Sequence, residues 1–212
     1  MLLSEIRDEV KLAVNDPAFT DNMIDAYIND VYLQVVAACL VPELKGIDTV
    51  TTSLTAAYAS LTGVEGGFSG VLSRVYDSSG TSIPIYSTLE RLMDLNGTMT
   101  EMGDIEGVAL EGTVLWYSPI PTTVQTLTVI YYKNPEPLTT DSDSPSSIPD
   151  FLHRQILVNG AAALMFDIFE DGLDGLKVNT QSREMSKLDG LRKFREWLGK
   201  TRKHYIAPQE PA

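Results

Sequence analysis

Apolar residues open the chain at helical spacing. Leu3, Ile6, Val10 and Val14 fall three or four residues apart, which places them on one face and predicts a helix over residues 2–14. Pro17 disfavours helix at Asp16, so Asn15-Asp16-Pro17 closes it. A second helix is predicted from Thr20. Thr20 is placed to cap it, Asp21 sits at the positive end of its dipole, and Phe19 and Ile24 have the spacing of a hydrophobic staple. Its stripe runs through Ile24, Tyr27 or Ile28, Val31, Val35 and Ala38, and Pro42 ends it near Leu40 or Val41.

The period then changes. Residues 48–133 are rich in Thr, Ser, Val, Tyr and Gly with turn residues at short intervals, a β pattern. Strands are predicted at 49–58, 70–76, 81–86, 107–111, 113–118 and 126–133, with a short helix over 88–95 closed by Asn96-Gly97. The VLWYS run at 114–118 and the LTVIYY run at 127–132 read as neighbouring strands of one hairpin. Residues 134–147 are a Pro/Ser/Asp-rich connector without apolar periodicity. Helix resumes at Ile148-Pro149-Asp150 and runs to about Phe169. Its 156–166 stretch is apolar on most sides, and Gly160 with Ala161–Ala163 lets neighbours approach closely. After a loop at 171–175, a last helix spans 181–205, with a stripe of Met185, Leu188, Leu191, Phe194 or Arg195, and Leu198; residues 207–212 read as a frayed tail.

This order predicts an α+β protein: an antiparallel helical bundle from the N- and C-terminal segments with an inserted β-sandwich-like antiparallel sheet domain. The expected divisions are 1–47 for the N-terminal helices, 48–133 for the β insert, 134–147 for the linker, 148–176 for the bundle core helix, and 177–212 for a basic helix and tail.

With 212 residues, 43% of them hydrophobic, the chain can bury a core. Cys39, the single cysteine, lies among Ala37, Ala38, Leu40 and Val41 and reads as a small buried hydrophobe. No basic-then-apolar leader opens the chain, so no signal peptide is expected. The longest apolar run, 156–166, is broken by Asn159 and falls short of the roughly 20 residues of a membrane span, so no membrane partner is expected.

Charge changes the picture more. The net charge is −13, but residues 177–212 carry nine Lys/Arg against four acids, a net +5. The remainder holds seven bases and 25 acids, a net −18. Such asymmetry points to two surfaces with different partners, and the acidic body argues against tight nucleic-acid binding.

Catalytic chemistry finds no foothold. The two histidines, His153 and His204, have no partner at motif spacing and read as surface or capping residues. HExxH, GxSxG and GxxxxGK[ST] are absent. The GVEGGFSG stretch at 63–70 lacks the phosphate-binding Lys and reads as a flexible loop between strands; Asp141-Ser142-Asp143 lacks the Gly and closing Glu of a Ca²⁺ loop and reads as solvated linker. No enzyme activity, metal or cofactor is predicted.

Two groups of residues stand out for binding. Trp116, Tyr117, Tyr131 and Tyr132 are candidate subunit-interface residues; adjacent strand residues point to opposite faces, so one of each pair is expected in the core. The last helix mixes cations and aromatics at Arg192, Lys193, Arg195, Trp197, Lys200, Arg202, Lys203 and Tyr205. A solvated face, docking on an acidic protein surface, and nucleic-acid contact are all open for it. Trp197 favours docking, since Trp and Arg are common interface anchors.

The order of motifs adds a resemblance. Ile28-Asn29-Asp30 in the second helix, the Pro119-Ile120-Pro121 turn before YYKNPEPL, and IPDFLHRQILVNGAA together resemble the head–tail connector adaptor, or head-completion, family of tailed bacteriophages, over about residues 1–172. The resemblance implies a structural virion protein without catalytic residues. It implies a homo-oligomeric ring, a dodecamer, under the portal protein in the neck, joined below to the next neck or tail protein and traversed by DNA. Assembly would take place in the host cytoplasm. It further implies that the C-terminal segment engages the portal, and the cationic and aromatic residues of the last helix are the candidates. The alternative is a tail-associated binding module that recognises a receptor or protein through the β domain.

Overall fold

A computed structural model describes residues 1–96, 99–170 and 177–203. The chain forms two units, Met1–Val41 with Pro135–Ala212, and Pro42–Asn134.

The first unit is helical. Its first helices are α1 (Leu3–Val14) and α2 (Asp21–Cys39); later come α4 (Asp150–His153), a π-helical turn (Arg154–Val158), α5 (Asn159–Glu170) and α6 (Val178–Lys203). α1 buries Leu3, Ile6 and Val10, and α2 buries Ile24, Ile28, Val31, Tyr32, Val35, Val36 and Cys39. α1 packs on α2 and α5, and α5 on α2 and α6. At Gly160 a Cβ would come within 2.7 Å of Val31, so the missing side chain lets α5 approach α2. Thr20 makes no side-chain cap, and Phe19 packs edge-on against Tyr27 at 6.4 Å.

The 134–147 connector is largely exposed, yet it is tied to the helical unit. Its carbonyls cap α1: Leu3 N–H donates to Asp143 O at 2.8 Å and Ser4 N–H to Asp141 O at 3.3 Å, satisfying donors that have no partner inside the helix. Asp143 folds the turn by accepting from Thr139 and Thr140, and the Thr140 hydroxyl with these backbone amides holds its carboxyl down at about 2. Arg7 grips Asp25 through two 2.7 Å bonds and reaches Asp141 with a third. Asn29 exchanges two hydrogen bonds with the backbone of Leu138, at 2.9 and 2.7 Å. That pair ties the Ile28-Asn29-Asp30 motif to the end of the YYKNPEPL motif.

The second unit begins with β1 (Lys45–Thr51), β2 (Tyr58–Ser60), β3 (Phe68–Tyr76), β4 (Ser82–Ile83) and β5 (Ile85–Tyr86). It continues with α3 (Leu89–Asn96), β6 (Gly107–Glu111), β7 (Val114–Ser118) and β8 (Thr126–Lys133). Two four-stranded sheets result, ordered β1-β8-β3-β4 and β2-β7-β6-β5, antiparallel except where β5 pairs with β6. Val50, Val75, Leu127, Val129 and Tyr131 from the first and Val108, Leu115 and Tyr117 from the second meet in one hydrophobic core.

Four expectations are corrected in this unit. β7 and β8 are not a hairpin; they belong to different sheets. Pro119 and Pro121 have no N–H to continue a ladder, and Ile120 between them bonds Glu101 O at 2.8 Å, diverting the chain. The 81–86 strand divides at Pro84 into β4 in one sheet and β5 in the other. The 49–58 strand likewise divides into β1 and β2, and the Tyr117 hydroxyl holds the bend: it accepts from Ser53 N–H at 2.7 Å and lies 2.8 Å from Ala56 O. The 63–70 loop is pinned as well. The Tyr131 hydroxyl donates to Glu65 O at 2.7 Å, and Gly66 and Gly67 supply two consecutive positive φ angles of 75° and 72°.

Candidate docking surfaces

His153 is fully buried rather than a surface residue. Its Nε2 lies 2.7 Å from Ile148 O, which assigns that nitrogen as donor, and its Nδ1 faces the Met1 amino group at 3.2 Å. Burial is the main force lowering its pKa. The ring serves the start of the 150–170 helix. His204 lies outside the described residues. Among the described residues no three His, Cys, Asp or Glu side chains gather as a metal site, and no helix is long and apolar enough to cross a membrane.

α6 is seated by three devices. Glu170 accepts from Asn179 N–H, Thr180 N–H and the Thr180 hydroxyl at 3.1, 3.1 and 2.7 Å, capping the helix from α5. The Thr180 hydroxyl bond is the leading cause that lowers the Glu170 pKa. Gly190 meets Ile156 and Gln155 of the π turn, where a Cβ would stand 2.9 and 3.0 Å away. Phe194 and Leu198 then enter the core.

The buried face therefore differs from the predicted stripe. Phe194 and Leu198 are inside, but Met185 and Leu188 are 72% and 57% exposed and Leu191 is half-buried. Helical spacing showed that apolar residues recur, but two apolar faces overlap in this helix. The small residue that marks the packed face, Gly190, carries no hydrophobic signal.

The structure also divides the cationic set. Arg192 and Arg195 are exposed beside Leu188, Leu191 and Glu196 around a groove of about 390 Å³. Lys193 is directed to Gln155 at 3.3 Å and to Asp189 at 2.8 Å, and Trp197 stacks on Phe194 at 6.1 Å. Asp189 also accepts from Arg192 at 2.7 Å, and these two cations hold its carboxyl below its ordinary range. Lys200 is exposed. The side chains of Arg202 and Lys203, and Tyr205 altogether, lie outside the described residues.

The aromatic set resolves differently from expectation. Tyr117 and Tyr131 are fully buried and Tyr132 nearly so, with Lys45 Nζ over its ring at 5.7 Å. These three offer a neighbour almost no surface. Their hydroxyls or rings are committed within the sheets, and the alternation that puts one of each pair inside fails at Tyr131-Tyr132, where both are covered. Trp116 remains half-buried and pairs across the strands with Tyr58, rings 5.2 Å apart. Tyr58 was not singled out by the sequence, although its register opposite Trp116 makes the two one patch.

No curated protein matches the chain. A family model does, and its match runs over residues 1–206, which takes in α6 beyond the 1–172 span of the sequence motifs. The chain belongs to the SU10 adaptor protein family, a family of bacteriophage head–tail adaptors.

Proposed function

We propose that this chain is a structural subunit of the phage neck, one of a closed ring, a dodecamer, that sits under the portal protein and carries the next neck or tail protein. The reading takes the two ends of the chain as a helical bundle and the insert, with its two four-stranded sheets, as a β-sandwich that offers a second contact surface. A closed ring needs two unlike faces on each subunit, one for each neighbour. The acidic remainder of the chain would line the DNA path without holding it, by like-charge repulsion.

The observation that carries the reading is the seating of α6. Its helix is capped by Glu170 and locked at Gly190, yet it leaves cations and apolar residues facing outward. In this reading the Lys193, Trp197 and Lys200 face, with the basic residues that follow, meets an acidic portal surface. A tail-associated binding module is the second reading, and the exposed Tyr58–Trp116 pair is the observation that favours it.

Electron microscopy of the full chain on purified portal particles separates them. A ring of copies at the portal, with attachment weakened by Lys200→Glu and by rising salt, is the expected result. Portals that stay bare, while the chain is found singly elsewhere on the tail, would rule the adaptor reading out.

A further inference from the structure

α6 carries a seam that its own unit does not cover. Gln181, Met185, Leu188, Arg192, Arg195 and Gly199 succeed one another in alternating four- and three-residue steps, the spacing with which one helix faces another. Val178, 59% exposed, extends the seam one step earlier. The opposite side of the helix, through Gly190, Phe194 and Leu198, is the one packed inward.

α1 has a seam of the same kind. Glu5, Asp8, Leu12 and Asn15 are all exposed at alternating three- and four-residue steps, and Leu12 is 82% exposed. Laid antiparallel to α6, this seam comes into register at one setting. Leu12 falls on Leu188, Asp8 on Arg192 and Glu5 on Arg195. One apolar pair and two opposite-charge pairs thus coincide along the seam, while one flank sets Glu9 and Asp16 near Asp189 and Glu196. α1 and α6 are already packed inside their own unit, α1 on α2 and α5, α6 on α5 and the π turn. Within that unit both seams stay exposed.

We propose that the α6 seam docks antiparallel on the α1 seam of a second copy of this chain, head to tail. The contact is heterologous, so each copy keeps one seam of each kind open for the next. It rests on the adaptor reading only for the closure of these contacts into a ring. A parallel α6–α6 pair would set Arg192 and Arg195 against their own copies, which like-charge repulsion disfavours. One helix pair is small beside the roughly 1,600 Å² of a standard stable interface, so the contact between two isolated copies is weak and gains strength from repetition.

Disulfide trapping reads a weak contact directly. In full-length protein with Cys39→Ser, one population carries Leu12→Cys and another Leu188→Cys. Mixed and oxidised, they should form a 12–188 dimer, and a chain carrying both substitutions should give a ladder of covalent multimers. Asp8→Arg or Arg192→Asp alone should slow trapping about fivefold, and the two together should restore it. Leu188→Cys dimerising as fast by itself would mean that α6 pairs with α6 and would overturn the proposal. So would trapping no faster than with exposed Ile168→Cys, or no trapping at all. Portal binding by the same variants is measured separately by co-sedimentation. Binding without 12–188 trapping removes this seam and leaves the adaptor reading standing; trapping without portal binding does the reverse.

Discussion

Single side chains do unusually long-range work in this protein. The Tyr117 hydroxyl holds a bend more than 60 residues earlier, and Asn29 pairs with backbone 109 residues later. His153 is the one with a solution signature. Its folded pKa lies below the ordinary value of 6.5, because burial and the Met1 amino group disfavour the charged ring more than Asp150 and the Ile148 carbonyl favour it. The unfolded chain therefore takes up a proton first as pH falls. Stability is full above 6.5 and is lost as pH drops from there through the folded pKa, at no more than about 1.4 kcal/mol per pH unit. Urea midpoints at pH 7.5 and 5.5 should show this decline in the native chain and a flatter response in His153→Gln. Equal slopes would mean that the ring titrates normally.

At the scale of elements, α6 shows how one helix can hide two glycines of opposite meaning. Gly199 has nothing within 4 Å of where a Cβ would lie, whereas Gly190 would place one 2.9 Å from Ile156. Alanine restricts the unfolded chain and favours helix by about 1 kcal/mol. Gly199→Ala should accordingly raise the denaturation midpoint. Gly190→Ala should cancel that gain against the clash, and Gly190→Leu should lower the midpoint, with overpacking costs of about 1–3 kcal/mol. Calorimetry on the three variants checks the order; a Gly190→Leu protein as stable as the native one would mean that α6 does not rest on the π turn. The same helix marks the limit of sequence reading. α1 and α2 were legible because each has one dominant apolar stripe, ending at Asn15 and Leu40. α6 was legible as a helix but not in orientation, since Met185 and Leu188 look like core residues until Gly190 is seen against Ile156. In the β region, strands 107–111 and 126–133 follow from composition alone. The sheet crossings at Pro84 and Pro119 do not, because a missing N–H shows where a ladder stops and is silent on which sheet the chain joins next. The connector's role was unreadable for a related reason: it caps α1 with backbone carbonyls, which every sequence has.

For the whole molecule, the chain's two units invite separation. Pro42–Asn134 is one continuous segment, and its outermost strands are neighbours: Lys45 pairs with Tyr132 and Thr51 with Thr126. Paired strands lie about 5 Å apart, so the two ends of the segment lie close together. A unit whose ends adjoin, and whose core draws on both of its sheets, has what it needs to fold alone. The segment Pro42–Asn134, expressed by itself, should melt in one cooperative transition with strand-rich circular dichroism. The complement, Val41 joined to Pro135 through a short Gly-Ser bridge, should keep the Asn29–Leu138 and α1–connector bonds, because every partner in them lies on its side of the junction. Its helical signal and its 12–188 trapping should survive, which would place ring contacts in the helices and leave the sheets for another partner. An excised β segment that gives no cooperative melt would mean that its core is completed by the helical unit, and the insert could then not be treated as an independent surface.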